Sequence, residues 1–594
     1  MSTGRQARTL LALASVAVAF AAADTYVVVL ALPDMMATIG IPVVQLQRAA
    51  PIVSGFLLGY VAMLPLIGRI ADLRGRVPVL VMALVVFALG SLVTALAYDM
   101  PTIVIGRFLQ GVGGGGLVPA TLALVADLYP RERRGVPLGV VSAVQEVGSV
   151  VGPLFGALVL SFADWRAIFA INLAVGLLLA AALRMSRFGP QPQQFGRSGR
   201  GLRPIVGSLD VAGALLLLVT LVAGGLVFVR PPQLMQDLAW GRLFIPFAGD
   251  GRWLTPLGAV AMAAAALFLA RCLTASRPLV DLRGWLQSML DADLPGALLL
   301  ALALSGVILA FATADPKLQV FSDQGLWYLL GSIVATVLFV LHQRRVAAPL
   351  VPHGALRRTP AWGALLVSFF IGAALIAALI DIPLFARTTV YPDSQLQAAL
   401  VLVRFLVALP VGAVLGGYLI RRLPAGVVTA VGMVLAAVAF VLMSRWGLTT
   451  LEQPSASVPL VVGGFGFGLA LAPVNAAVLA STDDDVHGLA TALVVVSRMV
   501  GMLVGISALT TIGLRRYYAE QADVPSAREV CEGGSRCAEF TLLLQEAGIA
   551  QEQTVFLGAA GCALVAAVLA LALFRRAATR DLAMSELFRA PLGG

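Results

Sequence analysis

Six ionisable residues lie inside long apolar runs of the sequence and are the first candidates for chemistry. They are Asp24, Arg107, Glu146, Asp381, Arg404 and Arg498. A charge within a bilayer is costly, so it is usually kept for pairing, for carrying a proton or for lining a substrate path. A carboxyl group that is paired with arginine in one state and unpaired in another binds and releases a proton. Arginine remains charged and suits the fixed partner.

Three of these residues, Asp24, Glu146 and Arg498, form our prediction for proton coupling and an ion lock. Glu146 and Arg498 fall near the middle of equivalent apolar runs in the two halves of the chain, so they can pair when the halves close. The remaining three are secondary candidates, and among them Arg404 competes as the partner of Glu146. The alternative is a static buried pair that only holds helix packing, which applies above all to Arg107.

The composition sets the class of protein that must hold these charges. Of 594 residues, 59% are hydrophobic and 12% are charged, and the mean hydropathy is +0.94. Soluble domains carry about 25% charged residues, so a soluble enzyme and a disordered chain are both excluded. The three histidines lack metal-site spacing, and the sequence has no Walker A string. We therefore predict no enzyme activity, no cofactor and no metal.

Sixteen apolar runs are long enough to cross a bilayer as helices. Six precede residue 185, four lie between residues 208 and 343, and six follow residue 359. The sequence predicts an all-α polytopic membrane protein with two six-helix bundles, residues 1–185 and 359–594. The linker region, residues 186–358, contributes four inserted helices.

Basic residues predict the orientation of the spans. Most of the 41 lysines and arginines fall in loops on one side when the N-terminus is placed in the cytoplasm. Such loops are retained on the cytoplasmic face. Both termini are therefore predicted to be cytoplasmic, in a multi-pass protein of the cytoplasmic (inner) membrane.

The linker contains an internal repeat. The string Gly-Ala-Leu-Leu-Leu at residues 213–217 recurs at residues 296–300, and each copy opens an apolar run. A second run follows each copy and ends in a similar tail, Arg-Pro-Leu-Val at 277–280 and Ala-Pro-Leu-Val at 348–351. We interpret this pattern as a duplicated two-helix hairpin. The alternative is chance recurrence of small apolar strings.

Two polar segments outside the apolar runs carry further predictions. The long loop 515–552 lies on the outer side and contains Cys531 and Cys537, whose six-residue separation permits a disulfide in an oxidising compartment. This loop is also a candidate contact surface for a partner or for lipid. The three acids at 483–485 are expected to cap the helix that begins near His487.

The turn after the second apolar run carries a dense motif. Its glycines permit a sharp reversal, and its acid suits the positive end of a neighbouring helix dipole. The alternative is a plain positively charged cytoplasmic loop. The spacing resembles the G-x-x-x-D-x-x-G-R signature of the major facilitator superfamily, which implies a cytoplasmic gating loop. The motif residues are Gly68, Asp72, Arg74, Gly75 and Arg76.

Three more motifs resemble the same superfamily. Residues 107–111 are similar to its R-x-x-Q-G signature, and residues 164–172 to the sixth-helix entry of its fourteen-helix drug:proton antiporter branch. That branch inserts two helices between its halves, whereas this sequence predicts four. The fifth apolar run resembles the antiporter motif of the branch through Gly148, Gly152, Pro153 and Gly156.

A narrower resemblance points to the mycobacterial triacylglycerol exporters of that superfamily. It rests on residues 24–29, 145–149, 405–413 and 498–505. The resemblance implies proton-coupled export of a bulky lipid by alternating access, a monomer, and a periplasmic lipid-carrying lipoprotein as partner. The alternatives are a proton-coupled multidrug efflux antiporter and a membrane sensor or scaffold that transports nothing. The buried acids disfavour a scaffold, which has no need of costly charges.

Overall fold

The structure is a computed structural model in which the described residues are almost entirely helical. No strand occurs among them, which confirms an all-α membrane protein. The described residues are 2–40, 50–130, 133–185, 210–237, 240–247, 251–275, 278–312, 324–392, 394–522, 524–525, 527–531, 537–575, 577 and 579.

The first six helices form one bundle. Gly75, with φ at 90°, makes the tight turn between the second and third helices. The Asp99 carboxylate accepts a hydrogen bond from the Thr102 amide and so caps the start of the fourth. The helices are α1 (Ser2–Thr38), α2 (Ala50–Arg74), α3 (Arg76–Ala95), α4 (Met100–Leu128), α5 (Gly135–Leu160) and α6 (Trp165–Met185).

The linker region folds into two hairpins and two shorter helices. Asp293, with φ at 64°, lies where the chain turns through 73° between an amphipathic helix and the first long helix of the second hairpin. The linker helices are α7 (Val211–Val229), α8 (Pro232–Met235), α9 (Pro256–Thr274), α10 (Leu282–Asp291), α11 (Leu294–Ala312) and α12 (Gly325–Arg345).

The remaining helices form a second bundle that repeats the packing of the first. In the first bundle α1 packs on α5, α2 and α3 pack on α4, and α3 packs on α6; in the second, α13 packs on α17, α14 and α15 pack on α16, and α15 packs on α19. The helices are α13 (Thr359–Thr388), α14 (Gln395–Leu419), α15 (Ala425–Met443), α16 (Ser457–Ser481), α17 (His487–Ala522), α18 (Ala527–Val530) and α19 (Ala538–Leu573).

The number of membrane spans is close to the predicted one. Fourteen helices of the described residues are long and apolar enough to cross a membrane, and the bent pair α10–α11 raises the number to fifteen. The 26-residue helix α5 is a further helix of spanning length. Sixteen spans and cytoplasmic termini remain predictions.

The prediction of a loop at residues 515–552 is wrong for most of that segment, because most of it is helical. α17 continues to Ala522 and α19 begins at Ala538, so both extend well beyond their apolar runs. Hydropathy alone ended these spans too early, because the added turns carry polar side chains. A disulfide joins Cys531 to Cys537 between the two helices.

The two linker hairpins share a set of contacts, which supports the interpretation of a duplication. In the first, the Asp210 carboxylate accepts from the Gly213 amide at 3.0 Å and from Arg271 at 2.7 Å. These two donors hold the pKa of Asp210 below its usual range. In the second hairpin, Asp293 accepts from the Gly296 amide at 3.0 Å and lies 2.7 Å from His342 Nε2.

The second hairpin lies against the helices through which the two bundles meet. α11 packs on α2 of the first bundle and on α17 of the second. The preceding helix α10 is held by Arg74, whose guanidinium lies 4.5 Å from the Trp285 ring and donates to Ser288 Oγ at 2.6 Å. The second hairpin is thus in contact, through α10, with the turn that follows α2.

Candidate functional site

A cavity lies between the two bundles and is lined by side chains from both. Twelve of its sixteen lining residues are apolar or aromatic. α1, α2, α4 and α5 contribute from the first bundle, and α13, α14 and α17 from the second. The charged lining residues are Glu146 of α5 and Arg498 of α17. A largely apolar cavity with two opposite charges favours a hydrophobic substrate over a sugar or another strongly hydrated solute.

Glu146 and Arg498 act on each other across this cavity. Their charges attract, and the Tyr60 side chain of α2 lies within the field of both. Glu146 is 8% exposed. No direct ion pair joins the two groups in the described part of the chain, since no nitrogen–oxygen distance between them is 4.0 Å or less. The attraction therefore acts through the cavity, where a substrate or a proton can alter it.

Asp24 lies apart from this cavity and is fully paired inside the first bundle. Its carboxylate accepts from Arg107 Nη1 at 2.8 Å and from the amide of Asn172. Arg107 also donates to Gln110 Oε1 at 3.0 Å and lies 4.4 Å from the centre of the Phe56 ring. These contacts join α1, α2, α4 and α6. The structure thus separates the three predicted residues. Asp24 pairs with Arg107, whereas Glu146 and Arg498 act on each other across the cavity.

The R-x-x-Q-G motif explains how α4 holds this pair. Arg107 and Gln110 lie one turn apart on the same face of α4. Gln110 Nε2 donates to Ser91 Oγ of α3 at 2.9 Å, which fixes the amide so that its oxygen faces Arg107. Gln110 Oε1 therefore accepts a second hydrogen bond from Arg107 Nη1, in addition to the one that Asp24 accepts.

The two secondary candidates of the second bundle have different surroundings. Arg404 is exposed and donates to Ser457 Oγ at 3.1 Å, so the structure does not place it beside Glu146. Asp381 is 6% exposed and is hydrogen-bonded to the carboxyl group of Glu552 on α19. Sequence reasoning missed Glu552 because it assigned residue 552 to a loop. The signal available was the helical spacing that continues from Glu539 into the apolar run.

The turn between α2 and α3 latches the two bundles together. We call the end of the bundles that carries this turn the turn end. Asp72 accepts hydrogen bonds from the amides of Gly488 and Leu489 at 2.8 and 3.0 Å, so it occupies the N-terminus of α17. Arg76 lies 3.1 Å from the same carboxylate. The acids at 483–485 were expected to cap this helix; Asp72 supplies the side-chain acceptors instead.

The other motif residues of this turn reinforce the latch. Arg69 Nη1 donates to the Asp485 carbonyl at 3.1 Å, and Arg76 Nη2 donates to the Asp484 carbonyl at 3.2 Å. Gly68 allows the backbones of α2 and α17 to touch, since a Cβ there would lie 2.6 Å from the Gly488 carbonyl oxygen. The bundles are therefore closed at the turn end.

The glycines of the predicted antiporter motif bring α5 against α1. A Cβ at Gly148 would overlap the carbonyl of Ala19, and a Cβ at Gly152 would overlap that of Ala23. Gly156 is buried on the same helix, which also contains Pro153. Close packing at Ala23 places the residue before Asp24 directly on α5, so this motif fixes the distance between the two charged helices.

The described residues show no group of three or more metal-ligating side chains. Two equivalent six-helix bundles, a shared cavity with opposite charges and a latch at one end define a membrane transporter of the two-bundle class. A model of the Major Facilitator Superfamily matches residues 14–506, and the chain belongs to that superfamily.

Relatives and solved structures agree with this assignment. A triacylglyceride transporter of Mycolicibacterium hassiacum is 33% identical over 573 residues, covering 93% of this chain and 90% of that protein. A triacylglyceride transporter of Mycobacterium tuberculosis H37Rv is 33% identical over 532 residues, covering 87% and 84%.

Two solved structures share the fold at low sequence identity. The proton:xylose symporter XylE covers 99% of both chains with a TM-score of 0.52 and 13% identity. The human organic anion transporter MFSD10 covers 95% of this chain and 99% of its own, with a TM-score of 0.51 and 14% identity. The predicted family and fold are thereby confirmed, and the protein is a multi-pass transporter of the cell membrane.

Proposed function

We propose that the protein exports a triacylglycerol-like lipid from the cytoplasmic membrane by proton-coupled alternating access. The observation that carries this proposal is the apolar cavity between the bundles, bordered by Glu146 on one side and Arg498 on the other. The relatives named as triacylglyceride transporters support a lipid as cargo. A monomer and a lipid-carrying lipoprotein partner remain predictions.

The cavity suits acyl chains because most of its surface offers no hydrogen bond. Side chains such as Phe56, Leu402 and Met502 present carbon to the cavity. Each buried methylene of an acyl chain contributes about 0.8 kcal/mol when it leaves water. A lipid already in the membrane gains less, so the cavity serves as a passage and need not bind tightly.

Glu146 is proposed to couple this passage to protons. While it is ionised, its attraction to Arg498 draws α5 and α17 together across the cavity. Protonation removes that attraction, because neutral carboxyl and guanidinium groups no longer form an ion pair. The two protonation states therefore favour different separations of the bundles. Asp24, held by Arg107, is proposed to make α1 move with α5, because α1 packs closely on α5 at Ala19 and Ala23.

The latch sets the state that the structure represents. Asp72, Arg69 and Arg76 close the turn end by binding the start of α17. We place the turn end in the cytoplasm, which makes this the state closed to the cytoplasm. Transport then requires the latch to open while the opposite ends of the bundles approach each other.

The test is transport in proteoliposomes with an imposed pH gradient. Wild type should transfer labelled triacylglycerol, and Glu146→Gln should lower the gradient-driven rate by about 5- to 150-fold, as coupling free energies of about 1–3 kcal/mol imply. Glu539→Gln, an exposed acid on α19, is the matched control and should transport normally. Efflux of dyes without lipid transfer would support multidrug efflux instead, and no flux under any gradient would support a sensor or scaffold.

A further inference from the structure

Two carboxyl groups meet inside the second bundle, away from the central cavity. Asp381 of α13 and Glu552 of α19 are hydrogen-bonded to each other and are 6% and 2% exposed. A hydrogen bond between two carboxyl groups requires a proton on one of them, since two carboxylates are both acceptors. Two buried carboxyl groups this close to each other therefore favour one bound proton between them.

No positive charge among the described residues compensates this pair. In the parts of α13, α15, α16, α17 and α19 that are described, no arginine, lysine or histidine is paired with either acid, and the only titratable group acting on each acid is the other. Gln551 Nε2 donates to Glu552 Oε1 at 3.2 Å and is a neutral donor. Two adjacent negative charges in such a place repel strongly, so one shared proton is the stable arrangement.

Aromatic side chains keep the surroundings of the pair apolar. Phe385 and Phe556 lie one turn beyond Asp381 and Glu552 on their helices, and their ring centres are 6.4 Å apart. The Trp446 ring lies 5.4 Å from Phe385 and 6.1 Å from Phe556. Glu552 Oε2 is buried without a hydrogen-bond donor. An unpartnered acceptor in an apolar site is costly, which favours a proton at this position.

The pair is within reach of the end of the bundle opposite the turn end. α13 runs from the turn end, where Gly363 contacts Leu573, to Thr388, where Gly548 packs on α13. Asp381 is seven residues before Thr388, or about 10 Å along the helix. Asp381 therefore lies nearer to the opposite end of α13 than to the turn end.

We propose that Asp381 and Glu552 form a second proton-binding site, in which two carboxyl groups of the second bundle hold one exchangeable proton. This site is separate from Glu146, which lies on α5 of the first bundle. Its ligand is a proton, and its existence does not depend on the identity of the cargo.

Infrared difference spectroscopy of the purified full-length protein tests the proposal. A protonated carboxyl group has a carbonyl stretch that a carboxylate lacks. Wild type at neutral pH should show one such band that is lost in Asp381→Asn/Glu552→Gln and altered in each single variant. Glu546→Gln, at an exposed acid on α19, and Glu146→Gln should both keep the band. A failure of proton coupling at Glu146 can therefore be told apart from a failure of this second site.

Three outcomes would overturn the proposal. The first is identical wild-type and double-variant spectra, which would mean that no proton is shared. The second is a band that sodium ions remove at constant pH, which would identify a cation site. The third is a band that does not shift in D2O, which would mark a structural proton that never exchanges. A band that shifts in D2O and is lost on alkaline titration supports the site.

Discussion

At the scale of single residues, the charge pair inside the first bundle differs from the charge pair between the bundles. Asp24 and Arg107 are fully buried and directly paired at 2.8 Å. Glu146 and Arg498 instead line the cavity and attract each other without direct contact. A complete pair resists change, because either partner alone would be an uncompensated buried charge. We therefore propose the pair at the cavity, rather than the complete pair, as the one that a proton switches.

The first prediction concerns the stability of the complete pair. Arg107→Ala leaves Asp24 without its counter-charge and should destabilise the protein by about 3–5 kcal/mol. Asp24→Asn/Arg107→Gln removes both charges, keeps polar groups in place and should restore most of the lost melting temperature in detergent. Arg404→Ala, at an exposed arginine, is the control. Equal melting temperatures for Arg107→Ala and the control would contradict a stabilising pair.

The sequence identified these charges and suggested Glu146 with Arg498, but it did not predict that Asp24 pairs with Arg107. Asp24, Glu146 and Arg498 are recognisable because each interrupts an apolar run. Their pairing depends on how α1, α4 and α5 rotate against one another, which the close contacts at Gly148 and Gly152 fix. Apolar runs give the position of a helix in the chain and say little about its rotation.

At the scale of elements, the latch at the turn end depends on backbone contact between α2 and α17. A Cβ at Gly68 would lie 2.6 Å from the carbonyl oxygen of Gly488. The Asp72 hydrogen bonds to Gly488 and Leu489 form only when the two helices are this close. The glycine is therefore a requirement of the closed state and not of either bundle alone.

Gly68→Ala should accordingly shift the protein towards states that are open at the turn end. The overlap should destabilise the closed state by about 1–3 kcal/mol. Cys272 and Cys562 are first replaced by serine, and spin labels are attached to cysteines introduced at the exposed positions Leu73 and Leu423. Electron–electron double resonance should then report a longer distance between the two labels. Gly331→Ala, where a Cβ meets nothing within 4 Å, is the control. An unchanged distance distribution would show that the latch does not need this contact.

A second prediction at this scale concerns the anchoring of the linker helix α10 by Arg74. Arg74→Ala removes the contacts with Trp285 and Ser288 that hold α10 beside the turn. Hydrogen exchange in residues 282–291 should then become at least about fivefold faster, which corresponds to roughly 1 kcal/mol. Arg271→Ala loosens the first hairpin at Asp210 and should leave α10 unaffected. Exchange in α10 that is equal in both variants would contradict the proposed anchor.

Hydropathy predicts these elements better than it predicts their ends. It located the hairpins, and the similar contacts at Gly213 and Gly296 agree with the proposed duplication. It failed at the start of α19, where Glu539, Glu546 and Glu552 lower the mean hydropathy although the helix continues. A helix that projects beyond the bilayer needs no apolar side chains, so its extra turns leave no hydropathy signal. Glu552 was missed for this reason.

At the scale of the whole molecule, two close contacts between the bundles can be placed at the turn end. α2 meets α17 at Gly68, and α5 meets α14 where a Cβ at Gly139 would lie 2.6 Å from the Ala413 carbonyl oxygen. Both contacts join helix ends on the same side. Two rigid bundles that touch at one end can rock about the cavity between them, which is what alternating access requires.

The charge pair at the cavity should bias this rocking motion. Glu146→Gln removes the attraction between α5 and α17, so states in which these helices separate should gain about 1–3 kcal/mol, a 5- to 150-fold change in population. The Leu73–Leu423 label pair should then show a longer distance at neutral pH. Acidification should broaden the wild-type distribution and should add little in the variant. Glu539→Gln should behave as wild type. A variant that still responds to acid as wild type does would mean that Glu146 is not the group whose protonation moves the bundles.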